Sequence, residues 1–102
     1  MATLTVLYWR DIPAQIVVKA GRQSAKRQLT PRFQEAIDAA AMRAGLAGTD
    51  DYLSAWRRGR ASDCGDDIEA AADSAAEQAE NDYPQTRLRT LVQAGGMEEA
   101  TA

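Results

Sequence analysis

The sequence predicts an α+β domain, a small antiparallel sheet built on an N-terminal β-hairpin and packed by alanine-rich helices. Three observations carry this. Thr3 to Trp9 alternates Thr3, Thr5, Leu7 and Trp9 against Leu4, Val6 and Tyr8, the period of a strand with two faces. After a short connection, Gln15 to Lys19 follows as a β-branched run. Beyond residue 30 the apolar residues recur at helical spacing, and alanine supplies much of the 45% hydrophobic content.

The elements follow in chain order. Between the first two strands, Arg10, Asp11, Ile12, Pro13 and Ala14 read as a hairpin loop of four or five residues, because proline cannot donate to a sheet ladder. Gly21 ends the second strand. Thr30 followed by Pro31 is a helix start, threonine capping free amides and proline losing nothing at the first position. That helix is expected at about 31–44, with Phe33, Ile37, Ala40, Ala41 and Ala44 on one face and Gly45 as its left-handed terminus.

Gly48 to Gly59 reads two ways. Thr49, Asp50 and Asp51 look like a capped helix start, whereas Tyr52, Ser54 and Trp56 alternate like a strand. A third strand near 52–58 is favoured, since an isolated hairpin is marginal in water and a third strand widens the face that helices cover. Asp66 or Asp67 caps a helix at about 67–83, with Ile68, Ala72, Ala75, Ala79 and Tyr83 on its narrow apolar stripe. Pro84 breaks it, and Leu88, Leu91 and Val92 mark a last helix at about 85–94 that Gly95 and Gly96 end. A chain of 102 residues builds one core, so a single domain is expected at 1–96 and a frayed tail at 97–102.

Composition excludes much. The chain has no histidine, which removes the usual general base, the usual proton shuttle near neutral pH and the commonest metal ligand together. A Ser-His-Asp or Cys-His mechanism and the structural zinc patterns are therefore excluded within this chain. Cys64 sits among Asp63, Asp66 and Asp67, acids that disfavour a thiolate, and it reads as an ordinary loop or buried cysteine. Those acids lack the calcium-loop spacing, and no phosphate-binding glycine motif is present. No catalytic residue, metal ligand or cofactor site is assigned, and the expectation is that this chain is not an enzyme.

No stretch approaches the roughly 20 apolar residues of a membrane span, and the N-terminus lacks a secretory pattern. One cysteine forms no intrachain disulfide, which agrees with a reducing compartment, so the cytoplasm is expected.

The formal charge of −3 hides an asymmetry. Residues 1–60 carry ten Lys or Arg and five Asp or Glu, a net of +5, and residues 61–102 carry two against ten, a net of −8. The favoured reading lays the two parts against each other. The stretch Lys19, Arg22, Lys26, Arg27 and Arg32, near Tyr8 and Trp9, is the one nucleic-acid-like signal, and a sequence pI of about 4.8 disfavours nucleic acid as the partner.

The run YWRDIPAQIVVKAGRQSAKRQLTPRFQEAIDAAAMRAGLAGTDDYLSAWRRG, continued by CGDDIEAAA, resembles the small bacterial virulence factor family. WRDIPAQ, KRQL and the stretch from AMRAGLAG to YLSAW carry the resemblance most specifically. The family is similar to the C-terminal domain of conserved virulence factor C, and the resemblance transfers no catalytic residue. It implies an association with genes of folate- and corrinoid-dependent methyl transfer, including methylenetetrahydrofolate reductase. The alternative role is thus an accessory subunit of one-carbon enzymes.

The function expected is a non-catalytic interaction or accessory module that meets a partner protein. Its candidate surface is Trp9 with the hairpin-loop residues Arg10, Asp11, Ile12, Pro13 and Gln15 and the basic Arg22, Lys26 and Arg27. Loops on a rigid scaffold commonly carry recognition, and Trp and Arg are frequent hot spots. Trp9 reads equally as a core residue, since a large indole is rarely left uncovered.

Overall fold

The N-terminal alternation forms the hairpin it predicts, with a tighter turn. The structure, a computed structural model, describes residues 2–97; apart from Met97, the tail expected to fray lies outside the described residues. β1 (Ala2–Trp9) and β2 (Ile12–Ala20) pair antiparallel from Thr3 opposite Lys19 to Trp9 opposite Ile12. Only Arg10 and Asp11 lie between them, so the expected loop of four or five residues is corrected to two. Pro13 is accommodated inside the strand because the register shifts there: Leu7 faces Gln15 and Tyr8 faces Pro13, leaving Ala14 as a bulge residue.

The third strand is not where the aromatic alternation placed it. β3 (Gln23–Gln28) pairs along the outer side of β2. Its sequence QSAKRQ is polar because it is an edge strand in which Ala25 alone is buried. The ambiguous stretch divides instead. Thr49 caps the short helix α2 (Asp50–Ser54), accepting the Tyr52 N–H at 3.3 Å, and β4 (Trp56–Arg58) follows at once. The strand expected near 52–58 is thereby shortened to its last residues. β4 lies beside Leu7–Trp9 and β5 (Ser62–Cys64) beside Ala2–Leu4 on the same edge of β1, with the register moved by one residue between them. The sheet therefore has five strands in the order β3-β2-β1-β4, with β5 also on β1.

The helical layer covers one face of this sheet. α3 (Ile68–Asp82) crosses Leu4, Val6 and Ile16 with its small side chains, Ala72 fully buried and Ala75 and Ala79 half-buried, so the helix approaches closely. Asp67 caps it by accepting the Ala70 N–H at 3.1 Å. α1 (Pro31–Arg43) and α4 (Gln85–Gln93) bury Phe33, Ile37, Ala40, Leu88 and Leu91. They run in the same direction, because Arg32 near the start of α1 donates to Tyr83 O and Arg43 at its end donates to Gln93 O.

Thr30 does not cap α1 with its side chain, contrary to expectation. Its N–H and hydroxyl donate instead to the two Glu80 carboxylate oxygens at 2.8 and 2.9 Å, and Arg32 adds an ion pair to Glu80 at 3.0 Å. Arg27 likewise pairs with Glu69 and Asp73 of α3. The basic N-terminal part and the acidic helix thus lie against each other, as the charge asymmetry suggested.

Trp9 is fully buried at the hairpin end, its indole N–H donating to Tyr52 O at 2.9 Å. Gly96, at φ 92°, lies so close that an added Cβ would stand 2.7 Å from the ring's Cζ3. Gly96→Ala therefore combines a strained backbone with an overlap on a locked indole, and we expect a loss of about 2–3 kcal/mol. Urea unfolding should show it as a lower midpoint at unchanged slope.

Burial would push the Glu80 carboxyl up, but the Thr30 N–H and hydroxyl and the Arg32 guanidinium outweigh it and hold the group below its ordinary 4.5. A depressed carboxylate contributes stability that is present above its unfolded value and lost as pH falls through the folded one. Unfolding free energy should therefore decline as pH drops below about 4.5, and Glu80→Gln should flatten that decline while costing about 1–2 kcal/mol near neutral pH.

Candidate functional site

Strand alternation determines which side chains the helices leave uncovered. On β1 the residues Leu4, Val6 and Tyr8 turn toward the helices, and Thr3, Thr5 and Leu7 turn to the opposite side. The registers then assemble three rows across the open face. Asp63, Thr3, Lys19 and Ser24 form one; Thr5, Val17 and Lys26 the next; Arg58, Leu7, Gln15 and Gln28 the third. Thr3, Thr5, Leu7, Gln15 and Val17 are half-buried, whereas Lys19, Lys26 and Arg58 stand exposed around them. The result is a shallow depression of about 190 Å³ with a mixed threonine and aliphatic floor and a cationic rim.

Lys19, Lys26 and Arg58 form no ion pair among the described residues, in contrast to Arg27, Arg32 and Arg57. Lys19 and Lys26 are diagonal neighbours on adjacent strands, a relation that sets their backbones about 7–8 Å apart. Asp63 is the acid of the first row, so the face keeps a positive balance.

The nine residues expected to share one interaction surface do not come together. Trp9, Ile12 and Pro13 are fully buried, which corrects their placement on a recognition loop. Arg10 and Asp11 form the turn and are tied down. Arg10, at φ 51°, donates through its N–H to Ala55 O at 3.0 Å and through Nη1 to Gly95 O at 2.9 Å. The Asp11 N–H donates to Gly96 O at 2.9 Å, and Arg57 bonds Arg10 O and the Asp11 carboxylate. Arg22 sits in the β2–β3 turn at the far end of β2, about 30 Å along a nine-residue strand. Arg27 faces α3, paired to its acids. Of the nine, Gln15 and Lys26 line the open face together.

Thr3, Thr5, Leu7, Val17 and Arg58 were missed as site residues, and Lys19 entered only through the nucleic-acid-like basic stretch. The signal was present: the threonine side of β1 is the more polar of its two faces, and in an antiparallel sheet that side turns to water. Cys64 sits opposite Ala2 on the helix side and packs, half-buried, against the core. Among the described residues no three of His, Cys, Asp and Glu come together in an arrangement that would hold a metal ion. No described helix is long and apolar enough to cross a membrane.

Fold and site together define a small α+β domain whose sheet has one helix-covered face and one uncovered, cation-rimmed face. Residues 7–92, from Leu7 in β1 to Val92 in α4, match the family model described as Virulence factor, and the chain belongs to that family. This bears out the resemblance read from the sequence, whose WRDIPAQ segment is the braced turn and the bulge behind it. No curated protein and no solved structure matches the chain.

Among the described residues the side chains of Lys26 and Arg58 form no ion pair, so Lys26→Ala and Arg58→Ala should change unfolding free energy by less than about 0.5 kcal/mol. Arg32→Ala, which strips hydrogen bonds from Glu80 and the end of α3, should cost about 2 kcal/mol in the same urea titrations.

Proposed function

We propose that this protein is a non-catalytic accessory module that docks a partner protein on its open sheet face. The observation that supports this is the contrast between the two faces. One is closed by α3, and the other presents half-buried Leu7 and Val17 inside a rim of cations that form no ion pair among the described residues. A face left partly apolar on a rigid sheet is a surface for association rather than for solvent alone. Catalysis is assigned to the partner, since a chain without histidine has a narrow choice of acid–base groups. A reducing compartment such as the cytoplasm suits its single cysteine.

Replacing Val17 by a photoreactive phenylalanine analogue and irradiating cells that make the full chain tests this reading. One adduct of defined mass is expected from position 17, and none from the same substitution at Gln78 on exposed α3 surface. Recovery of uncross-linked protein from both positions would remove the open face as the docking surface.

A further inference from the structure

We propose that the segment docking on this face is extended and acidic, with the pattern acid-x-apolar-x-acid. The inference rests on the docking role just described and specifies the chemistry of the partner. Lys26 and Arg58 lie on the outer strands of the sheet, in neighbouring rows with β1 and β2 between them. Three strand spacings separate them laterally, about 15 Å. Leu7 and Val17 occupy the middle of that span.

An extended chain advances about 3.3 Å per residue and sends alternate side chains to the same side, so two acids four residues apart stand about 13 Å from each other with one apolar residue midway. The long, mobile Lys26 and Arg58 side chains cover the remaining difference. An extended segment reaches both cations within about five residues, whereas a helix needs acids about eleven residues apart on one face to span the same distance. Lys19, diagonal to Lys26, adds a second cation at one end of the path. An acidic segment would neutralise charges that form no ion pair among the described residues.

Two other occupants fit worse. A second copy face to face would set lysines and arginines against their own kind, which costs rather than gains. Single-stranded nucleic acid needs aromatic platforms, and this face has none: Trp9 is buried and Tyr52 and Trp56 are packed together beside it. The acidic α3 on the reverse side would also repel a polyphosphate chain.

The test titrates the isotopically labelled full chain with a soluble peptide centred on Glu-Ser-Leu-Ser-Glu, following amide resonances. Comparison probes carry Lys for Glu, or Ser for Leu, and an oligothymidylate represents nucleic acid. Saturable shifts are expected at Thr5, Val17 and Lys26, with affinity about tenfold above the lysine peptide and falling with salt. The serine peptide should bind several-fold more weakly. Lys26→Glu and Arg58→Glu, whose amide spectra report that they remain folded, should each weaken the acidic peptide about fivefold or more.

Absence of shifts on this face at millimolar peptide, equal binding of the lysine peptide, or preference for the oligothymidylate would each overturn the proposal. If position 17 still cross-links a partner in cells, only the acidic-segment assignment falls. If it cross-links nothing, the docking role falls with it.

Discussion

The indole of Trp9 is the constraint around which the hairpin end of the molecule is organised. Its N–H reaches the Tyr52 carbonyl in α2, its ring lies 5.6 Å from that of Tyr52, and Gly96 after α4 is pressed on its edge. One side chain of β1 therefore sets where α2 ends, where β4 begins opposite it, and how α4 terminates. A buried tryptophan of this kind is worth about 3–5 kcal/mol against alanine. The bonds that brace Arg10 and Asp11 go to the Ala55, Gly95 and Gly96 carbonyls, on the same segments that surround the ring. That bracing offsets the cost of a non-glycine residue with positive φ.

Charge is distributed by the same one-sided plan. The acids of α3 meet Arg27 and Arg32 across the covered side, where Arg32 also binds the last carbonyls of α3, the end of a helix that favours cations. The cations on the other side form no such pair among the described residues. A chain that is acidic overall can in this way present a basic face, because strand parity divides the cations of its basic N-terminal part between the helix-covered side and the open side.

How much of this was legible in the sequence follows from which signals are local. The helices at 31–44, 67–83 and 85–94 were readable within a residue or so, because Pro31, Asp67, Pro84 and the terminal glycines mark their ends. The first two strands were readable from alternation and β-branching. β3 was not, since an edge strand needs only one buried residue and QSAKRQ shows no pattern. Thr49 to Arg58 carried a helix signal and a strand signal that belong to different residues, α2 and β4. The surface was the least legible part. Trp9, Arg10, Ile12 and Pro13 look like recognition residues in a loop, but a bulge at Ala14 draws the turn down to two residues and takes three of the four into the core.

The one-residue register change between β4 and β5 bears on how the sheet avoids growing. An uncovered, partly aliphatic sheet with a long free edge invites another chain to add as a new strand and begin an aggregate. Here the edge beside β1 is broken into two pieces of three residues each, separated by a kink at Gly59 to Ala61 that carries Arg60. Gly59 is what lets the kink pass the Tyr8 ring, since a Cβ there would stand 2.8 Å from Cε2. On the opposite edge β3 sets Lys26 and Arg27 side by side. Short, kinked and charged edges of this kind offer little template for another strand, while the open face between them stays accessible.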